Sequence, residues 1–150
     1  MKLYILLFFA LGVLGFIFEW AFRILTGDLC FLSKMRELAK LLMIFVYGIA
    51  GAIIRLLYAI PFFQQMQNLL LLLVIGGVIA TIIEFGFGYL FNIVLKLGLW
   101  DYSNSKIKIG DSIIYLNFRG QIDIWHTILW CALTLLVCYF SVIIEFLINY

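Results

Sequence analysis

Proline and charge are what this chain has least of. One proline, Pro61, stands among 150 residues. No Ser- or Gly-rich linker interrupts the chain, so it reads as a single domain over 1–150. Charged residues make up 12% against 67% hydrophobic, where an ordinary soluble domain carries about a quarter charged and about half apolar. A water-soluble fold of this size cannot hide so much apolar surface, because small domains leave a large share of their surface exposed. A net charge of +2 with no basic stripe argues against a nucleic-acid partner. The three cysteines, Cys30, Cys131 and Cys138, are too scattered for a disulfide framework or a metal site. Cys131 and Cys138 fall in an apolar run, where cysteine packs as a small hydrophobe. A lone histidine, His126, also makes a poor metal centre, so no metal and no cofactor is expected. There is no Walker A motif, no Gly-x-Ser-x-Gly and no Cys-x-x-Cys, and no nucleophile stands beside a base. An enzyme is therefore not expected.

What is abundant is long apolar sequence. Crossing a bilayer takes roughly 20 apolar residues in a helix. Four stretches qualify, at about 3–25, 41–63, 69–95 and 124–148. Spanning segments must satisfy their backbone groups internally, and these runs are too long and continuous for barrel strands. The expected fold is an all-α integral membrane protein, a bundle of four transmembrane helices. The N-terminal run begins like a signal peptide, but it continues to Leu25, contains Glu19 and shows no small-x-small cleavage signature.

Arg23, Lys34, Arg36 and Lys40 cluster around the first loop, and Lys96, Lys106, Lys108 and Arg119 in the loop over 96–123. By the positive-inside rule these two loops face the cytoplasm and both termini face outward. Trp20, Trp100, Tyr102 and Trp125 lie near span ends on that side, as an aromatic belt would. Ser33 to Lys40 reads as a short amphipathic surface stretch. In the long loop, Lys106 to Ile109 and Ile113 to Phe118 alternate in a strand-like way. That pattern suits either a small hairpin turning at Gly110-Asp111 or a loop tucked against the bundle.

Helices one and three share a pattern at one constant offset. Gly12 matches Gly77, Glu19 matches Glu84, and an aromatic follows each Glu. Two spans separate the copies, so they cross in the same direction, as in a parallel 2+2 duplication. Gly12, Gly15, Gly48, Gly51, Gly76 and Gly77 are expected at close helix contacts.

Ionisable groups in a bilayer are costly and tend to face protein, pair, or line a polar path. Glu84 is about 3 Å from the middle of its span at about 1.5 Å per residue. Arg55 is its expected partner, and Glu19 precedes Arg23 at the favourable i, i+4 spacing. Glu84, Glu19 and Arg55 are the candidate substrate or ion pathway; the bland alternative is a set of structural ion pairs. His126 is expected to be a wetted histidine at a helix start, with Asp123 on its face.

The run Glu84-Phe85-x-x-Gly88, then Leu99-Trp100-Asp101-Tyr102-Ser103, then Asn117-x-x-Gly120-x-Ile122 and Trp130, resembles the bacterial type IV ABC-transporter permease family, also called CmpB-like. Gly15-x-x-x-Glu19 and Tyr47-Gly48 look like the same family's first half. The stretch Asp28 to Lys40 departs from the family in lacking its Asn-Arg-Gly…Gly-Pro element. The resemblance implies a permease-like membrane protein. It points to Glu84, Trp100, Asp101, Tyr102, Asn117 and Gly120 as the residues that matter, and to a separate ATPase subunit as partner. Read as structure alone, Trp100 is an interface anchor and Asn117 to Gly120 a turn.

The function expected is therefore a small permease acting in the cell membrane, as a homo-oligomer or with other membrane subunits. The alternatives are a non-transporting interaction module, such as an immunity, sensory or phage-exclusion protein, and an oligomeric ion channel.

Overall fold

The computed structural model describes residues 2–25, 37–109 and 111–149. Cys30, residues 33–36 of the amphipathic stretch and Gly110 lie outside the described residues, as do the side chains of Arg23 and Lys40.

Helix α1, Lys2–Leu25, is an unbroken apolar run. Its side chains divide at helical spacing. Leu7, Leu11 and Glu19 turn inward, while Phe9, Val13, Ile17, Trp20 and Ile24 stay exposed. Helix α2, Glu37–Tyr58, stops short of the expected Phe63. Pro61 disfavours a helical residue before it, and Ile60 accordingly takes an extended backbone at φ −74, ψ 124. A single-turn helix α3, Pro61–Gln64, and a 3₁₀ turn, Met66–Asn68, then reverse the chain. Helix α4, Leu69–Gly88, runs on into a wider π-helical turn, Tyr89–Val94. Helix α5, Ile124–Asn149, completes the set.

Between α4 and α5 the connection both tucks in and forms hairpins. Strands β1, Lys106–Ile109, and β2, Ser112–Tyr115, pair antiparallel with Ile109 opposite Ser112. Strands β3, Asn117–Phe118, and β4, Ile122–Asp123, form a second short pair leading directly into α5.

The long helices associate as two antiparallel hairpins, α1 with α2 and α4 with α5. Small residues set both contacts. Gly12 and Gly15 lie against Ile44 and Tyr47, Gly48 and Gly51 against Phe8 and Leu11, and Gly76 and Gly77 against Thr134 and Cys131. The matched glycines Gly12 and Gly77 thus do the same job in each half. Helix α2 packs on α4 and α5 and joins the halves around Met43, Tyr47, Ile54, Leu72 and Ala80. Leu99, Trp100 and Tyr102 cap this core at the loop end, and the reversal over 59–68 lies at the other, the turn end.

Among the described residues, four helices are long and apolar enough to cross a membrane: Tyr4–Phe22, Leu41–Tyr58, Leu69–Val94 and Ile124–Leu147. Their outer faces carry Phe9, Val13, Leu70, Val74, Val78, Ile82, Leu135 and Val142, all exposed. This is an all-α, multi-pass membrane bundle, with lipid taking the place that water would have around a soluble fold.

Candidate functional site

Glu19 and Glu84 both face the bundle interior, each 3% exposed. Each carboxylate is held by an aromatic from its own hairpin partner. Tyr47 on α2 donates its hydroxyl to Glu19 Oε2 at 2.7 Å. Trp130 on α5 donates Nε1 to Glu84 Oε2 at 2.8 Å, and Tyr102 donates its hydroxyl to Glu84 Oε1 at 2.8 Å. The Tyr47 and Trp130 rings meet across the two halves, with centroids 4.7 Å apart.

His126 connects this centre to the loop. It is buried, where a wetted position was expected at the helix start. The β3–β4 pair folds Asp123 over the start of α5, and Asp123 Oδ1 lies 2.7 Å from His126 Nδ1 while accepting the His126 backbone N–H at 2.8 Å. An ionised Asp123 places the imidazole proton on Nδ1. The other nitrogen, Nε2, points to Glu19 Oε1 at 3.8 Å. Tyr102 lies over the imidazole at 4.4 Å, and Phe22 meets it edge-on at 5.6 Å. Burial pushes the Asp123 carboxyl up, but hydrogen bonds from the His126 side chain and backbone outweigh this and hold it below the usual Asp range.

The residues around Trp100 act as a clasp that aims Tyr102 into the bundle. Asn92, in the π-helical turn, accepts from the Leu99 N–H at 2.6 Å and donates to the Trp100 carbonyl at 2.9 Å. Widened turns of this kind recur at functional positions. Trp100 is buried rather than anchored at an interface, because its Nε1 donates to the Gln121 carbonyl at 3.0 Å. Tyr102 is likewise buried, which leaves Trp20 and Trp125 as the exposed aromatics of the expected belt. Asp101 accepts from the Ser103 backbone N–H and hydroxyl at 2.8 and 2.9 Å. Asn117 donates to the Ser103 and Ser105 carbonyls and accepts the Gly120 N–H at 3.0 Å. Gly120 has φ +67, and a Cβ there would sit 2.8 Å from Asp101 Oδ1, so only glycine suits the turn. Its carbonyl in turn accepts the Tyr102 N–H at 2.8 Å.

Arg55 is not brought to Glu84. It grips Glu145 near the end of α5, with Nε and Nη2 donating at 2.8 and 2.7 Å. The reason is geometric. Arg55 lies two turns beyond Tyr47, about 12 Å along the helix at about 1.5 Å per residue, and so belongs to the turn end. Glu19 and Glu84 belong to the loop-end half.

A cleft of about 770 Å³ opens at the loop end and extends to Tyr102 and His126, lined also by Phe22, Asp101, Asp123 and Trp125 among others. Beside Tyr47 and Trp130, the seam between the halves leaves only about 20 Å³, walled by Leu11, Gly15, Phe18 and Leu133. Tyr47, His126, Asn92 and Gln121 are site residues that sequence reasoning did not assign. The available signal was their polarity inside or beside apolar runs.

A family model described as "Putative ABC-transporter type IV" matches residues 6–149, and the chain belongs to that family. No curated protein and no solved structure matches it.

Proposed function

We propose, with that family membership as the premise, that the protein is the membrane-spanning part of a transporter, and that a cationic solute passes between its two hairpins by way of Glu19 and Glu84. The observation that carries this reading is the seam. Each half holds its own carboxylate through its own aromatic, and the Tyr47–Trp130 stack and His126, which reaches toward Glu19, lie between the two. Parting the halves exposes both carboxylates without breaking either aromatic's hydrogen bond to them. Rocking of such repeats about a fixed site is how many transporters alternate access. Paired carboxylates walled by aromatic rings favour a cation, through charge and through the ring faces.

The two ends differ in a way that fits this cycle. At the turn end, Arg55 from one half and Glu145 from the other bridge the seam. At the loop end, the cleft already reaches His126 and Tyr102. Arg55 thus serves as a closure rather than a solute ligand. His126, between Asp123 and Glu19, is positioned to pass a proton inward when the charge of the site changes. The ABC-transporter family supports an ATPase subunit as the energy source, with the loop end toward the cytoplasm and both termini outward in a bacterial cell membrane.

The test is charge movement in proteoliposomes on a solid-supported membrane, after jumps of protons, sodium, potassium or small alkylammonium ions, with and without a copurifying ATPase subunit. Wild type gives a transient current with one of these, and Glu84→Gln loses at least tenfold while still inserting. Absence of current with every probe, from well-folded protein, overturns the reading. A second reading, a non-transporting interaction module, is favoured by one observation: every buried side-chain polar atom among the described residues already has a partner. It predicts a seam that never opens and a stable co-purifying protein.

A further inference from the structure

The β1–β2 ribbon plays no part in the buried site, and its two faces are unlike. The register sets Lys106 opposite Tyr115, Ile107 opposite Ile114, Lys108 opposite Ile113 and Ile109 opposite Ser112. Side chains alternate across a ribbon. Ile107, Ile109 and Ile114 therefore share one face, and Lys106, Lys108, Ile113 and Tyr115 share the other. Every residue of both strands is exposed. An isolated two-stranded ribbon is marginal in water, and one carrying so much exposed isoleucine marks a contact surface.

Placement identifies the contact. The carbonyl of Leu116, the residue following β2, accepts the N–H of Ile124, the first residue of α5, at 3.0 Å. The Leu116 N–H in turn donates to the Ser105 carbonyl, just before β1. The base of the ribbon is therefore pinned where α5 enters the bilayer. Four residues at roughly 3.3 Å each carry it only about 13 Å from that point. Exposed Phe118 and Trp125 flank the same place, as aromatics do at membrane interfaces. The cations beside the ribbon in sequence are Lys106, Lys108 and Arg119, and the exposed acids of the same loop are Asp101 and Asp111.

We infer that this ribbon is a membrane-interface element that beds its Ile107–Ile109–Ile114 face on the leaflet at the loop end, while Lys106 and Lys108 bind anionic phospholipid headgroups. The headgroup layer is roughly 5–7 Å deep on each side of the hydrocarbon. With the isoleucine face at the hydrocarbon boundary, flexible lysine stems on the opposite face reach phosphate level. Each basic residue near an anionic surface then favours the bedded state roughly fivefold.

The test uses the full chain in nanodiscs, either phosphatidylcholine alone or phosphatidylcholine with phosphatidylglycerol. With the native cysteines replaced, Ile109→Cys carries an environment-sensitive fluorophore. In anionic discs the label is expected to be blue-shifted, quenched by lipid-borne nitroxide and shielded from aqueous acrylamide. Lys106→Gln with Lys108→Gln should cut the bedded fraction's equilibrium by roughly 25-fold, about fivefold for each lysine. Hydrogen exchange across 106–115 of the wild-type chain repeats the comparison without any cysteine replacement, and slower exchange in anionic discs is expected. Equal acrylamide access and equal exchange in the two lipids overturn the inference. Protection that arises only when a soluble protein is added also overturns it, and assigns the ribbon to that protein.

Discussion

Removing the Tyr102 hydroxyl tests whether the loop clasp exists to hold Glu84. In Tyr102→Phe the ring stays over His126, but Glu84 Oε1 loses the donor that stands 2.8 Å away. Hydrogen bonds between membrane helices average about 0.6 kcal/mol and reach about 1.7. The Tyr102–Glu84 coupling should therefore be about 1 kcal/mol. The single change should cost about 1–3 kcal/mol, because a buried carboxylate oxygen is left without its donor. Glu84→Gln behaves differently. Its amide oxygen accepts from Trp130 Nε1, and its NH₂ donates to the Tyr102 oxygen, which can accept as well as donate. Both contacts survive, so this variant should stay within about 1 kcal/mol of wild type. The assay is equilibrium unfolding in mixed detergent micelles, run as a double-mutant cycle of Tyr102→Phe with Glu84→Leu. Additivity within about 0.5 kcal/mol would refute the clasp. A folded Glu84→Gln that moves no charge separates the function of the carboxylate from its packing.

Three further outcomes follow from the geometry. Gly77→Ala and Gly12→Ala put a methyl into Cys131 and into the Ile44 carbonyl, and should cost about 1–3 kcal/mol by overpacking; Gly86→Ala, with nothing within 4 Å, should be neutral or stabilising in the same unfolding assay. Removing Arg55 or Glu145 alone leaves a half-buried charge, with side chains 18% and 26% exposed, so each single change should destabilise by more than the charge-swapped double Arg55→Glu with Glu145→Arg. Asp123 has a depressed carboxyl pKa, so its stabilising contribution is complete above the unfolded value near 3.8 and falls away as the pH drops through the lower folded value; Asp123→Asn should flatten that acid limb in unfolding curves measured against pH.

Much of the fold was legible because the bilayer imposes a length and a composition. Four apolar runs near the needed length were visible, and so was the inward placement of Glu19 and Glu84, since each lies on the same helical stripe as Leu11 or as Gly77 and Ala80. The end of α2 was misplaced because apolar composition continues to Phe63, whereas backbone sterics at Ile60-Pro61 decide where helix stops. The partner of Arg55 was unreadable for another reason. Glu145 and Glu84 are both acids on later spans, and only the positions of α2, α4 and α5 along the bundle axis choose between them.

His126 shows the same limit at a single residue. Its place at the start of an apolar run suggested a wet helix end. A connection of 28 residues, 96–123, instead folds back and closes over it, bringing Tyr102 and Asp123 to the imidazole from different parts of the loop.

By itself, the sequence determined that this chain lives in a bilayer as four helices, because no other arrangement satisfies so many backbone groups amid so few polar side chains. It also determined that two acids would be buried, because exposing them to acyl chains costs more than surrounding them with protein. Which donors surround each acid, which end holds the ion pair, and what the long loop covers were decided by tertiary structure alone. Those contacts join residues far apart in the chain, and local pattern carries no information about the relative height and rotation of packed helices.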